Sequence, residues 1–434
     1  MKKSIFNVLR MGIVVALVFS LAACGSTTKP SKTKTDTQSI TLTMWHHWVN
    51  EADSTTNSVK NAIKDWNDRN PKVKVLADGV SGEPYKTKIK TALAAGEAPD
   101  LFYMWGGSFV SPYISEGNIL PLDSYLNDGT RDRLIPGILE ACTFDGRVYS
   151  LPMLTFIANL YCNKELFEKA GAKIPETYDE LLDAVKKLRA KGITPISVGE
   201  KDRWPGMYWY DILAMRQAGN QACMDAMKKP SQFDQPQFRE AAEKLTELVK
   251  EKAFNDNAFG LGFNEMVNEF TEGKAAMIYQ GNWVGITIDK SKTTTKDQIV
   301  VVPFPVIEGG KGIATEFYGG NVDGFCVNVN TQHVEEAVAA LKFICEKAGK
   351  EGYLRGAGLP CWKTDGADSI KITPLTKEAG KLMNTGTSFV GWWDTILPAA
   401  EAETHKSLVA ELFAGKKTPD EFVKDMAKLK GTSN

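Results

Sequence analysis

After its first 23 residues the chain has no apolar run approaching the roughly 20 residues a membrane helix needs, so nothing downstream reads as a transmembrane span. It also lacks an excess of one charge. Lys and Arg number 52 against 53 Asp and Glu, with no basic patch, which argues against nucleic acid as a partner. Histidine is scarce, with four in 434 residues. His46 and His47 are adjacent but have no ligand-spaced acids beside them, so neither a metal site nor a cofactor is expected. Among the seven cysteines no Cys-x-x-Cys pair occurs, which removes the common zinc and redox motifs. No short internal repeat is visible.

What is present begins at the N-terminus. Lys2, Lys3 and Arg10 flank an uncharged, mostly apolar run from Met11 to Ala23 that ends in small residues, the layout of a secretory signal. Thirteen residues are too few to span a bilayer, so the run is read as an export signal, residues 1–23, and not as a stable anchor. Leu21, Ala22, Ala23 and Cys24 resemble the bacterial lipobox, in which the cysteine is lipidated and becomes the first mature residue. A diacylglycerol thioether carries two chains, enough for stable attachment to the outer face of a cell membrane. Residues 24–39 then read as a flexible tether, because positions 25 to 39 carry no large apolar side chain. Without Lys2, Lys3 and Arg10, the net charge of −1 becomes about −4 over 411 residues, enough chain for two or three cores. Six widely scattered cysteines remain. Several lie in apolar runs, such as Phe325 to Val327 and Phe343 to Cys345, and are expected as free thiols.

From residue 40 onward strands and helices alternate. Ile40, Leu42 and Met44 alternate with threonine, then Val59, Ile63 and Trp66 recur at helical spacing, which places Trp66 in the core. Val73 to Ala77 read as a second strand, Tyr85, Ile89 and Leu93 as a second helix, and Leu101 to Trp105 as a third strand. The pattern restarts with a capping box at Thr177 and Glu180, a strand near Pro195, helices around Leu245 and Val267, and a strand from Ala275 to Tyr279. Phe325 to Val329 and Val334 to Glu346 form another strand and helix. Such alternation implies an α/β fold with a largely parallel sheet.

In open α/β sheets ligands bind beyond the carboxyl ends of strands. Here those ends carry tryptophan beside small or polar residues. Met44 is followed by Trp45, His46, His47 and Trp48, while Trp105, Gly106 and Gly107 close the third strand. After Val198 come Glu200 to Trp204, and after Tyr279 come Gln280, Gly281, Asn282 and Trp283. Flat rings beside hydrogen-bonding groups suit a sugar, which has an apolar C–H face and a rim of hydroxyls. Trp48 and His47, past the first strand, are therefore ligand candidates, whereas Trp45 fits the core equally well. Trp105, Trp204 and Trp283 are candidates too, as is one of the adjacent pair Trp392 and Trp393. Glu83 and Asp202 are candidates for hydroxyl contacts. Trp209 reads as structural.

Ala98 to Trp105, Gly117 to Leu126, Tyr161 to Gly171, Phe270 to Trp283, and Leu412 to Lys416 together resemble the extracellular solute-binding proteins of bacterial ATP-binding-cassette importers. The likeness is to the large carbohydrate-binding group that includes the maltose-binding protein, and it runs from about residue 40 to 430. Cys162, where that family usually carries an aromatic residue, and the His46–His47 pair depart from the pattern. The resemblance implies a two-lobed, type II periplasmic-binding-protein-like fold that closes over its ligand by a hinge. Expected boundaries are 40–155 plus 303–355 for lobe 1 and 156–302 plus 356–434 for lobe 2. It also implies an oligosaccharide ligand, membrane permease subunits as partners, a monomeric chain, and contacts from Trp105, Gly106, Gly107, Trp204, Trp283 and one of Trp392 or Trp393.

Two other classes fit less well. A secreted glycoside hydrolase would need two carboxylates about 5 to 9 Å apart, and no spacing singles out a pair among Glu83, Asp202 and Asp394. The other is an importer subunit for a peptide or a polyamine; a polyamine site would want several acids among the aromatics, and the strand-end loops carry glycine and histidine instead.

Overall fold

The computed structural model describes residues 39–51, 53–364 and 372–432; the signal segment and Cys24 lie outside them. Among the described residues are β1 (Ile40–His46), β2 (Val73–Gly79), β3 (Leu101–Trp105), β4 (Thr143–Phe144), β5 (Arg147–Val148), β6 (Leu151–Asn163), β7 (Thr194–Ile196), β8 (Ala275–Gly281), β9 (Ile299–Val302), β10 (Glu316–Val327), β11 (Leu359–Pro360) and β12 (Ser388–Val390). One hydrogen-bonded path runs β2-β1-β3-β10-β6-β8-β7, with β9 and β11 joined to β6 and β12 to β10, while β4 and β5 form a separate hairpin. β1 pairs in parallel with β2 and β3, and β7 in parallel with β8, as strand-helix-strand units dictate. β6 and β10 run antiparallel to each other.

Those two long strands join the lobes. β6 pairs with β10 as far as Ile157 and with β8 from Ala158 onward. The far end of β10, Asp323 to Val327, pairs with β3, whereas its first residues, Glu316 to Tyr318, pair with β12. Helices Ser54–Arg69 and Val334–Leu354 pack together on one half of the sheet, and helices Trp204–Ala218, Pro236–Lys250 and Ala399–Phe413 pack together on the other. Residues 304 and 306, just past the expected crossing at residue 303, bond to the helices near Tyr178 and Arg216. Arg216 donates to the Phe304 carbonyl at 3.2 and 3.3 Å, and the Tyr178 amide donates to the Val306 carbonyl at 2.8 Å. The crossing falls within β10, where the register shifts between Gly319 and Asn321. Residues 359 and 362 contact the first half of β6. Leu359 pairs with Thr155, and the Trp362 indole donates to the Pro152 carbonyl at 2.8 Å.

Local signals explain the individual elements. Asp53 caps the first helix by accepting the Thr55 amide at 2.7 Å, and the Trp66 indole, 8% exposed, donates to the Val73 carbonyl at 3.0 Å. Thr177 accepts the Glu180 amide as expected, but the Glu180 carboxylate reaches back to the Glu176 amide instead of the cap residue. The reciprocal capping box forms at Thr418 and Glu421. Cys142, Cys162, Cys223, Cys326, Cys345 and Cys361 are all buried free thiols. No helix among the described residues is long and apolar enough to cross a membrane.

Candidate ligand-binding site

On the first lobe the ends of β1 and β3 build an aromatic wall. The His47 ring lies 4.5 Å from Tyr103 and 5.0 Å from Trp105, whose ring packs edge-on to Phe109 at 5.3 Å. Burial, reinforced by His46 and Lys86, pushes His47 down to about 3, so it is a neutral imidazole whose Nε2 has no protein partner. The Lys86 ammonium sits 5.0 Å above the Trp105 ring and pairs with Glu83 at 3.0 Å and Asp394 at 3.7 Å. Burial alone would lower its pKa, yet Asp394 and Glu83 hold it above the usual lysine value.

On the second lobe a larger array forms. Trp204, at the start of helix Trp204–Ala218, packs on Phe263 at 5.1 Å and Tyr208 at 5.3 Å, and lies 6.3 Å from Trp283. Trp283 meets Trp392 edge-on at 5.7 Å, and Trp392 stacks on Tyr208 at 4.9 Å with the planes 15° apart. Against Gly206, in the first turn of the helix that Trp204 opens, lies Glu200, 2% exposed, neither of whose carboxylate oxygens has a hydrogen-bond partner. Burial pushes it up to about 8, tempered by the Arg203 guanidinium and the nearby Gly206 amide. The Glu200 carboxyl occupies the space beside Gly206, where a Cβ would stand 1.4 Å from Oε1 and would displace it.

The two walls touch. Gly107 has φ 65°, and a Cβ on it would lie 2.3 Å from the Thr395 carbonyl, so the β3 turn rests directly on the segment that carries Trp392. Lys86 bonds across to Asp394, and at another point between the lobes Lys290 donates to Ser54 Oγ at 3.0 Å. Contacts thus link Gly107 and Trp105, through Glu83 and Lys86, to the segment that carries Trp392 and on to Trp283 and Trp204.

Other candidates have different surroundings. Trp48 is 5% exposed and packs on Tyr103 at 4.8 Å and Phe325 at 5.9 Å, inside the first lobe. The inward alternation Leu42, Met44 continues through His46 to Trp48, so the strand's period buries it, whereas Trp45 falls on the opposite face under the Lys88 ammonium at 3.8 Å. Trp393 is fully buried between His405, Tyr210 and Phe233, whereas Trp392, itself 6% exposed, packs among Tyr208, Tyr318 and the half-buried Trp283. Asp202 accepts the Phe263 amide at 2.8 Å, holding the ring that backs Trp204. An open groove of about 580 Å³ lined by His46, Val49, Lys60 and Asn67 shares only Trp48 with the strand-end tryptophans and is separate from the cleft.

The family model for bacterial extracellular solute-binding proteins matches residues 52–351, and the chain belongs to that family. It is 25% identical over 378 residues to the multiple sugar-binding protein of Streptococcus mutans, covering 84% of each chain. A structure from a study of xylan utilization by the thermophilic bacterium Caldanaerobius polysaccharolyticus superposes with a TM-score of 0.86 at 42% identity, covering 90% of this chain and 99% of that one. A chitin oligosaccharide binding protein superposes at 0.81 with 27% identity, covering 90% and 98%.

Proposed function

We propose that this chain is the lipid-anchored substrate-binding component of an ATP-binding-cassette importer, which captures an oligosaccharide between its lobes and hands it to membrane permease subunits. The observation that carries the reading is the array of Trp204, Trp283 and Trp392, with the buried acid Glu200, its oxygens unpartnered, against the first turn of the helix that Trp204 opens. Stacked sugar rings cover such faces, and ligand hydroxyls supply the donors that Glu200 lacks. A few aromatic contacts at about 1 kcal/mol each beyond burial, with hydrogen bonds to charged groups at about 1.5 to 3, reach the roughly 8 kcal/mol of micromolar affinity after association costs.

Related proteins named for sugars and chitin oligosaccharides support the ligand class. The anchor rests on Cys24 at the end of the apolar run, and a tether to residue 39 keeps the trap near its importer. A hydrolytic role is disfavoured, because Asp202 caps a helix and Asp394 pairs with Lys86. The deciding experiment is calorimetry of residues 39–434 against xylo-, chito- and malto-oligosaccharides, with reducing-sugar release followed over hours. Micromolar binding without turnover is expected; binding of peptides alone overturns the ligand class. For the anchor, Cys24→Ser should move the protein from the membrane fraction to the medium, and an unchanged distribution refutes the lipid.

A further inference from the structure

We infer that Tyr318 is a positioning residue for the aromatic cleft: its hydroxyl ties the Trp392–Trp393 backbone to Asp211, so that the Trp392 ring meets ligand in one orientation. The inference rests on the oligosaccharide reading above. Tyr318 is fully buried near the start of β10, just before the strand crosses between the lobes. Its hydroxyl accepts the Trp393 amide at 3.1 Å and donates to Asp211 Oδ2 at 2.6 Å. Asp211 Oδ1 lies 2.7 Å from His405 Nε2, and both residues are fully buried. One hydroxyl therefore joins the loop that carries Trp392 to the helix that carries Tyr208, the face on which Trp392 stacks. The Tyr318 ring itself stands edge-on to Trp392 at 4.8 Å and 86°.

The remaining bonds fix the loop internally or to the neighbouring crossing strand. The Trp392 amide donates to Asn321 Oδ1 at 2.8 Å, and Thr395 bonds back to the Trp392 carbonyl at 2.8 and 2.9 Å. None of these sets the loop against the Tyr208 face. A buried network with every member satisfied specifies a single arrangement, and a platform already held in place need not be immobilised when ligand arrives.

The test is a double-mutant cycle with Tyr318→Phe and Trp392→Ala, using whichever of xylotetraose, chitotetraose or maltotetraose binds wild type tightest. Tyr318→Phe is expected to weaken binding about three- to tenfold in the wild-type background and by less than about twofold beside Trp392→Ala, since the effect passes through that ring. Equal losses in both backgrounds would make Tyr318 merely structural and overturn the inference. A ligand-free arm reads Trp392 directly, as acrylamide quenching of each protein minus that of its Trp392→Phe partner; Tyr318→Phe should raise it, and an unchanged value overturns the inference. Should Tyr318→Phe fail to melt cooperatively, Asp211→Asn, which weakens the same bond while keeping its shape, takes its place in both arms with the same expected direction. If no tetrasaccharide binds wild type, the oligosaccharide reading fails while the quenching arm still decides the positioning role.

Discussion

Replacing Glu200 by glutamine should stabilise the protein, and increasingly so as pH rises. The carboxyl is 2% exposed, and burial pushes it from the ordinary 4.5 up to about 8. In the unfolded chain the proton leaves near 4.5, whereas the folded protein keeps it until about 8, so folding takes up a proton throughout that window. Stability contributed at this position is therefore fully present below pH 4.5, falls as pH rises, and is flat above about 8. At about 1.4 kcal/mol per pH unit the whole window corresponds to at most about 5 kcal/mol. With an unfolding entropy of about 2 cal/mol/K per residue over about 400 residues, that is a shift of roughly 6 °C in Tm if both lobes melt together. Glutamine has the same shape and does not titrate. The Tm of Glu200→Gln minus that of wild type, followed by calorimetry from pH 5 to 9 in matched buffers, should start near zero and grow to several degrees. A gap independent of pH, or a wild type more stable at pH 9, would refute the placement of a lone buried carboxyl here. A bound sugar that donates hydroxyls to Glu200 favours its ionised form, so ligand binding near pH 7 should release protons in wild type and not in the variant.

Trp283→Ala should cost at least about tenfold in oligosaccharide affinity with little change in Tm, because its ring is half-buried at the cleft. Trp66→Ala and Trp48→Ala should do the reverse, each losing about 3 to 5 kcal/mol of stability while affinity in the surviving folded fraction stays within about twofold. Equal effects on binding from Trp48 and Trp283 would contradict the burial of Trp48. Titration of native residues 39–434 with a thiol reagent should find almost no reactive sulfur, six appearing on unfolding, and reductant should leave Tm unchanged; a lower count after unfolding would reveal a disulfide.

The placements that could be read from the chain are those fixed by local order. Trp105 and Trp283 stand at or just past the ends of β3 and β8, and strand ends in α/β sheets face a crevice whatever the rest of the chain does. Where the fate of a residue depends on distant elements, order along the chain fails. Pro303 looks like a boundary, and Arg216 and Tyr178, about a hundred residues earlier, bond to Phe304 and Val306 just past it. Trp48 lies two residues beyond the end of β1, past a bend at His47, yet the alternating burial of Leu42, Met44 and His46 extends to it. Trp392 and Trp393 are adjacent and of the same type, so no periodicity tells them apart. The choice is made by the buried pocket of Phe233, Tyr210 and His405, which takes one indole, and by the Tyr318 hydroxyl, which fixes the backbone between them. Glu200 stands in a strand-end segment with Lys201, Asp202 and Arg203, and nothing in that charged run singles it out. Six residues later Gly206 leaves, by its missing side chain, the space the carboxyl fills. Selectivity for a given sugar should therefore reside less in the strand-end tryptophans, which offer faces to any pyranose, than in these positions set by tertiary contacts, where a hydroxyl is either matched or left unpaired.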